Sequence, residues 1–149
     1  MMWPLAELLP HAGDMILLDS IESWDEESIV ALARVTDDCL FARADGSWPV
    51  WLGIELMAQA VAAYAGLRAK SSGGQVQLGF LLGTRKFDCN VMYFPVNTLL
   101  RISARCSLED DSGMGVFECS MLADNIEVQA RLNVYRPHQV DSYIQEVAP

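Results

Sequence analysis

The chain has 149 residues, enough to bury a core as one domain, and carries a net charge of −10 that argues against a nucleic-acid partner. Hydrophobic residues make up 52% and mean hydropathy is +0.19, so part of the apolar surface is expected to meet a partner subunit. Four widely spaced cysteines without a C-x-x-C pair, and two histidines, give no zinc-ligand spacing, so no metal is expected; no bound cofactor is expected either.

The N-terminus has no basic region followed by a long apolar run, so a signal peptide is not expected and the implied location is the cytoplasm. The first turn, Leu-Leu-Pro-His-Ala-Gly-Asp at 8–14, ends at an apolar run, 15–18, that reads as a strand. A second strand-like run covers 28–35, and the turn at 24–27 between them suggests a hairpin. Asp45-Gly46-Ser47 punctuates the chain, and Pro49 suits the approach to a helix.

The helix is expected over 51–70. It is apolar on every face, so it must be wrapped rather than laid on a surface. A membrane span is a poor alternative, because Pro49, Glu55, Gln59 and many alanines interrupt it, and a central acid costs roughly 2.5 kcal/mol or more on insertion. Arg68 and Lys70 in the last turn and Gly73 beyond mark its end. Strand-like runs follow at 76–82, 85–92, 98–108, 115–122 and 127–134, and Cys89, Cys106 and Cys119 within them are expected as buried free thiols. Hairpin, one long helix, then antiparallel strands make an α+β arrangement in which a curved sheet wraps the helix, the hotdog architecture, as a single domain over 1–149 with 137–149 as a tail.

Glu55 is the lone carboxylate of the helix. Apolar surroundings would raise its pKa and the helix N-terminus would lower it, and a group tuned between the two suits proton transfer. It could equally cap its helix or pair across an interface. Gln59, four residues on, shares its face and can orient the carboxyl. Amides near Trp51 and Gly53 could polarise a ligand carbonyl, or Gly53 could simply serve close packing. His11 could supply a second acid/base group or fix its own turn, whereas His138, in the polar tail, reads as a surface residue. Arg68, Lys70, Arg85 and Lys86 could form a basic patch for an acidic or phosphorylated ligand, or be solvated charges.

Three stretches carry a resemblance. L-L-P-H-A-G-D-M-I-L-L-D at 8–19, W-P-V-W-L-G-I-E-L-M-A-Q-A at 48–60, and G-F-L-L-G-T-R-K-F at 79–87 followed by Pro95 together resemble the 3-hydroxyacyl-acyl-carrier-protein dehydratases of the hotdog superfamily (FabZ/FabA-like). The variants look closest to the dehydratase-like subunits of aryl-polyene biosynthesis clusters. The resemblance implies a site at a dimer interface, where acyl-phosphopantetheine on acyl carrier protein enters a tunnel along the helix and loses water to give a trans-2-enoyl chain. It makes Glu55 the catalytic carboxylate, with Trp51, Gly53, Phe41, Gly79 and Phe80 around the substrate and Arg68, Lys70, Arg85 and Lys86 towards the carrier protein. It also implies a homodimer, or a heteromer with another hotdog subunit. The family's catalytic histidine falls at Phe41 here, so the second group must be His11 or come from another subunit, or else the chain is a non-catalytic partner. Thioester hydrolysis, also found on hotdog folds, ranks third.

Overall fold

The alternation of apolar and polar side chains from residue 99 onward builds the larger part of a six-stranded antiparallel sheet. In the computed structural model, which describes residues 3–11, 13–74 and 79–136, the strands are β1 (Ser20–Trp24), β2 (Ser28–Arg34), β3 (Trp48–Pro49), β4 (Phe80–Cys89), β5 (Tyr93–Phe94), β6 (Leu99–Glu109), β7 (Met114–Ala123) and β8 (Ile126–Tyr135). The sheet order is β1-β2-β6-β7-β8-β4, and β3 pairs with β5 in a small second sheet. Two helices, α1 (Leu5–Leu8) and α2 (Leu52–Ser71), complete the described elements, with a short 3-10 turn at Gly13–Met15.

Alternate residues of the central strands point inward, as the period of two requires. Ile29, Ala31 and Ala33 of β2, Leu100, Ile102 and Ala104 of β6, Phe117, Cys119 and Met121 of β7, and Val128, Ala130 and Leu132 of β8 are all buried. Against them lie Leu52, Leu56, Met57, Ala60, Ala63, Tyr64 and Leu67 of α2. The alanines on the sheet leave room for the helix to sit deep in its concave face. The sheet therefore wraps one long helix, the hotdog arrangement expected from the sequence.

Several elements differ from expectation. The apolar run 15–18 is not a strand: Leu17 and Leu18 are buried, but the Leu17 N–H is donated to the Gln59 side chain rather than to a neighbouring strand. The hairpin forms five residues later, β1 with β2, around the anticipated turn, where the Asp25 carboxylate accepts from the Glu27 and Ser28 amides. The runs expected at 76–82 and 85–92 are one strand, β4, irregular between Leu81 and Gly83 and between Arg85 and Asp88, and residues 75–78 lie outside the described residues. Of the three strand cysteines only Cys119 is fully buried, while Cys106 is half-buried and Cys89 exposed. The β3–β5 pair was not anticipated; two-residue strands leave no period to read.

The segment ahead of β1 is tied to α2 at two places. α1 packs on the helix where Gly66 has no side chain, and Gln59 holds the segment around Met15 and Leu17. Between those ties lies His11.

Candidate functional site

Glu55 sits in the first turn of α2, and the helix period places Gln59 directly behind it. Gln59 is fully buried and uses both ends of its amide. Its Oε1 accepts the Leu17 N–H at 2.9 Å, while Nε2 donates to the Met15 carbonyl at 2.6 Å and to Glu55 Oε1 at 3.0 Å. One side chain thus fixes the Glu55 carboxyl and draws the preceding segment onto the helix.

The consequence is a second contact with Glu55. His11 Nε2 lies 3.1 Å from the same Oε1, with side chains 24% and 35% exposed. Oε2 takes neither bond. An imidazole and a carboxyl at this distance share one proton between Nε2 and Oε1. His11 Nδ1 is buried and has no hydrogen-bond partner among the described residues.

Both residues line one cavity of about 260 Å³ that runs along α2. Ala58, Val61, Ala62 and Ala65 form its helical side, and Leu81, Phe117 and Val134 its sheet side. The spacing 55, 58, 62, 65 keeps small side chains on one helix face, so the groove follows directly from where alanine stands in the sequence. From Glu55 to Arg68 that face is about 20 Å long at 1.5 Å per residue. Its other end is polar: Tyr64, Arg68, Glu109, Tyr135 and Arg136 contribute there. Arg68 Nη1 donates to Glu109 at 3.0 Å and to the Tyr64 hydroxyl at 3.3 Å, and burial raises the Tyr64 phenol above its ordinary range. The Tyr64 hydroxyl itself donates to the Glu26 carbonyl.

Glu55, Gln59 and His11 are thus brought together, and Gly79 lines the same cavity. Glu55 is half-exposed at its head rather than sunk in an apolar pocket, because the His11 turn and the Gln59 amide are its neighbours. Gly53 corrects another expectation. Its N–H is donated to the Val50 carbonyl at 2.9 Å and its Cα faces Phe94 and Met121, so it is a packing position and presents no free amide. Trp51 and Phe41 do not line the cavity; they meet edge to face, 6.0 Å apart, at the helix start, with Trp51 56% exposed. Phe80 lies in β4, and its side chain is outside the described residues, as is His138. The four basic residues do not converge on the cavity: Arg68 lines it, while Lys70, Arg85 and Lys86 do not. The sequence reading missed Tyr64, Glu109, Tyr135 and Arg136. Tyr64 was visible as a hydroxyl on an otherwise apolar helix, but the other three depend on how the sheet curls.

The family of ApeP dehydratases matches residues 3–145. The chain belongs to that ApeP-like dehydratase family. Of solved structures, a chain of the dehydratase heterocomplex ApeI:P from Xenorhabdus doucetiae is similar over 100% of both chains, at 30% identity and a TM-score of 0.91. Two more distant likenesses show the fold alone. A hypothetical thioesterase from Streptococcus pneumoniae, solved with coenzyme A, matches 80% of this chain and 94% of its own at 12% identity and TM-score 0.59. The Escherichia coli PaaI protein matches 80% and 82% at 16% identity and TM-score 0.57. No curated protein sequence matches the chain. Among the described residues no helix is long and apolar enough to cross a membrane.

Proposed function

We propose that the chain eliminates water from 3-hydroxyacyl thioesters carried on acyl carrier protein, giving trans-2-enoyl thioesters, with His11 and Glu55 as the acid/base pair. The observation that carries this reading is the 3.1 Å contact between His11 Nε2 and Glu55 Oε1 at the edge of an apolar groove. Dehydration needs two proton transfers on neighbouring carbons, and a pair of groups in mutual contact supplies both. His11 takes the C2 proton; that electron pair forms the C2–C3 double bond and the C3–O bond breaks. Glu55, holding the proton it shares with His11 as the step begins, gives it to the departing hydroxyl, which leaves as water. The short contact between the two groups then returns the proton from His11 to Glu55 and resets the pair.

Gln59 holds Glu55 in place during this exchange, and the alanine-lined face of α2 takes the acyl chain. Each methylene buried there contributes about 0.8 kcal/mol, so chain-length preference follows the depth of the groove. No cofactor is required, since the phosphopantetheine arm of the carrier protein brings the thioester. Arg68, at the polar end of the groove, is proposed to meet the acidic carrier protein, and neutralising it should raise KM, more so at low salt. The heteromeric state of the Xenorhabdus doucetiae relative supports assembly with another hotdog subunit, and the exposed Leu40, Trp51, Met92, Tyr93 and Val96 offer apolar surface for it; a cytoplasmic location is part of the same proposal.

Phe41, where the dehydratases it resembles place a histidine, favours a second reading: a non-catalytic subunit that stabilises an active partner. The test is to incubate the purified chain with a 3-hydroxyacyl carrier protein, alone and with candidate hotdog partner subunits, and to identify the product by mass. Enoyl thioester that depends on Glu55 supports the proposal. Free acid points to hydrolysis, and turnover unaffected by Glu55→Gln in the assembly points to the non-catalytic reading.

A further inference from the structure

Among the described residues, His11 belongs to a segment with no strand partner, yet it is placed to within hydrogen-bond distance of Glu55. Something on α2 must set that position. Behind His11 the tie is Gln59; ahead of it the tie is Gly66. A Cβ built on Gly66 would lie 2.4 Å from the Leu8 carbonyl oxygen and 3.1 Å from both the Leu8 carbonyl carbon and Cα. That is backbone against backbone, with no flexible side chain to yield. Leu8 and Leu9 are buried at this contact, and α1 is closed by hydrogen bonds from Glu7 to Pro4 and from Leu9 to Leu5, so the turn docks as a unit.

Residues 55, 59, 62 and 66 lie on one face of α2, and the segment from α1 to Leu17 runs along that face. Gly66 and Glu55 are about 16 Å apart along the axis, whereas three residues from Leu8 to His11 span at most about 11 Å. Little slack remains for the two side chains to close. Pro10 within that span has its φ fixed, so a shift at Leu8 is passed to His11 rather than absorbed.

From this geometry we infer that Gly66 is a positioning residue for His11: its missing side chain lets Leu8 seat against α2 and so sets the reach of the imidazole to Glu55. Gly66→Ala raises the helix propensity of α2, which by itself favours the fold. Its cost falls on the docked segment, which must move by roughly 1 Å to restore ordinary contact.

The inference rests on the proposed acid/base pair for its kinetic arm only. His11 and His138 are the two histidines of the chain, so a sample labelled with ¹⁵N in the imidazoles gives one reporter and one internal reference. In the native chain the His11 Nε2 proton is expected as a protected resonance, assigned by its loss in His11→Ala. Gly66→Ala should lose that resonance while His138 and the amides of β6 to β8 are unchanged, and kcat should fall about 100-fold with KM nearly constant. If Gly66→Ala does not fold, Leu8→Ala loosens the same seat without adding atoms and should lose the same resonance. A protected His11 proton and full kcat in either folded variant would overturn the inference, as would absence of the resonance from the native chain. If the native chain shows no turnover, the resonance alone decides, and only the reaction falls.

Discussion

Replacing Gln59 by leucine tests how far one buried amide organises the site. Leucine fills nearly the same volume but removes three hydrogen bonds at once, to the Leu17 N–H, the Met15 carbonyl and Glu55 Oε1. The Leu17 N–H lies in a buried residue and would have no replacement, which costs about 1–3 kcal/mol. The Met15 carbonyl belongs to an exposed residue and can turn to water, so it adds little. A net loss of about 2 kcal/mol corresponds to a fall in Tm of roughly 6 °C for a domain of this size. Activity should suffer more than stability. Both Glu55 and the segment carrying His11 lose their common anchor, and a misplacement of about 1 Å can cost about 100-fold in kcat. Thermal unfolding followed by circular dichroism, together with steady-state kinetics, measures both. A Gln59→Leu protein with native Tm and kcat would refute the reasoning; a lowered Tm with unchanged kcat would reduce Gln59 to a structural role.

Two further predictions concern groups away from the reaction. Asp25, Asp45 and Asp110 are held below the ordinary 3.8, Asp25 first by the Glu27 amide, Asp45 first by the Ser47 hydroxyl and Asp110 first by the Ser112 hydroxyl. A carboxylate lowered on folding stabilises the native state above its unfolded value and loses that contribution as pH falls through the folded one. Stability should therefore drop below about pH 4, and Asp110→Asn should flatten that drop in melts taken between about pH 5 and pH 3. Burial pushes the Cys119 thiol up to about 12, whereas Cys89 is exposed. A thiol reagent at about pH 8 should label Cys89 first and leave Cys119 unmodified in the native protein, as peptide mapping would show; early labelling of Cys119 would contradict its burial.

The fold was legible because its signals are local. The helix reads from an uninterrupted apolar stretch, and the observed α2 is displaced by a single residue from the expected span. β6, β7 and β8 read from their β-branched, aromatic and aliphatic content and from turns rich in Asp, Asn and Gly. What failed is where tertiary contacts outweigh local preference. The run Met-Ile-Leu-Leu has strong strand character, yet it packs against α2 because Gln59 satisfies its backbone. In the site, Glu55 and Gln59 were readable as an i, i+4 pair on one helix. The pairing of His11 with Glu55 spans 44 residues of chain and depends on a glycine at 66, whose meaning appears only once Leu8 rests on it. The cations at 70, 85 and 86 looked clustered in sequence, but a strand and a helix end need not share a surface.

The central claim is that His11 and Glu55 act as one unit, and a double-mutant cycle in the active assembly tests it most directly. Glu55→Gln and His11→Ala should each lower kcat by about 10²- to 10⁴-fold with folding preserved, and the double variant should be no slower than the worse single, as expected for groups that share one proton. Losses that multiply in the double variant, or full activity in His11→Ala, would contradict it.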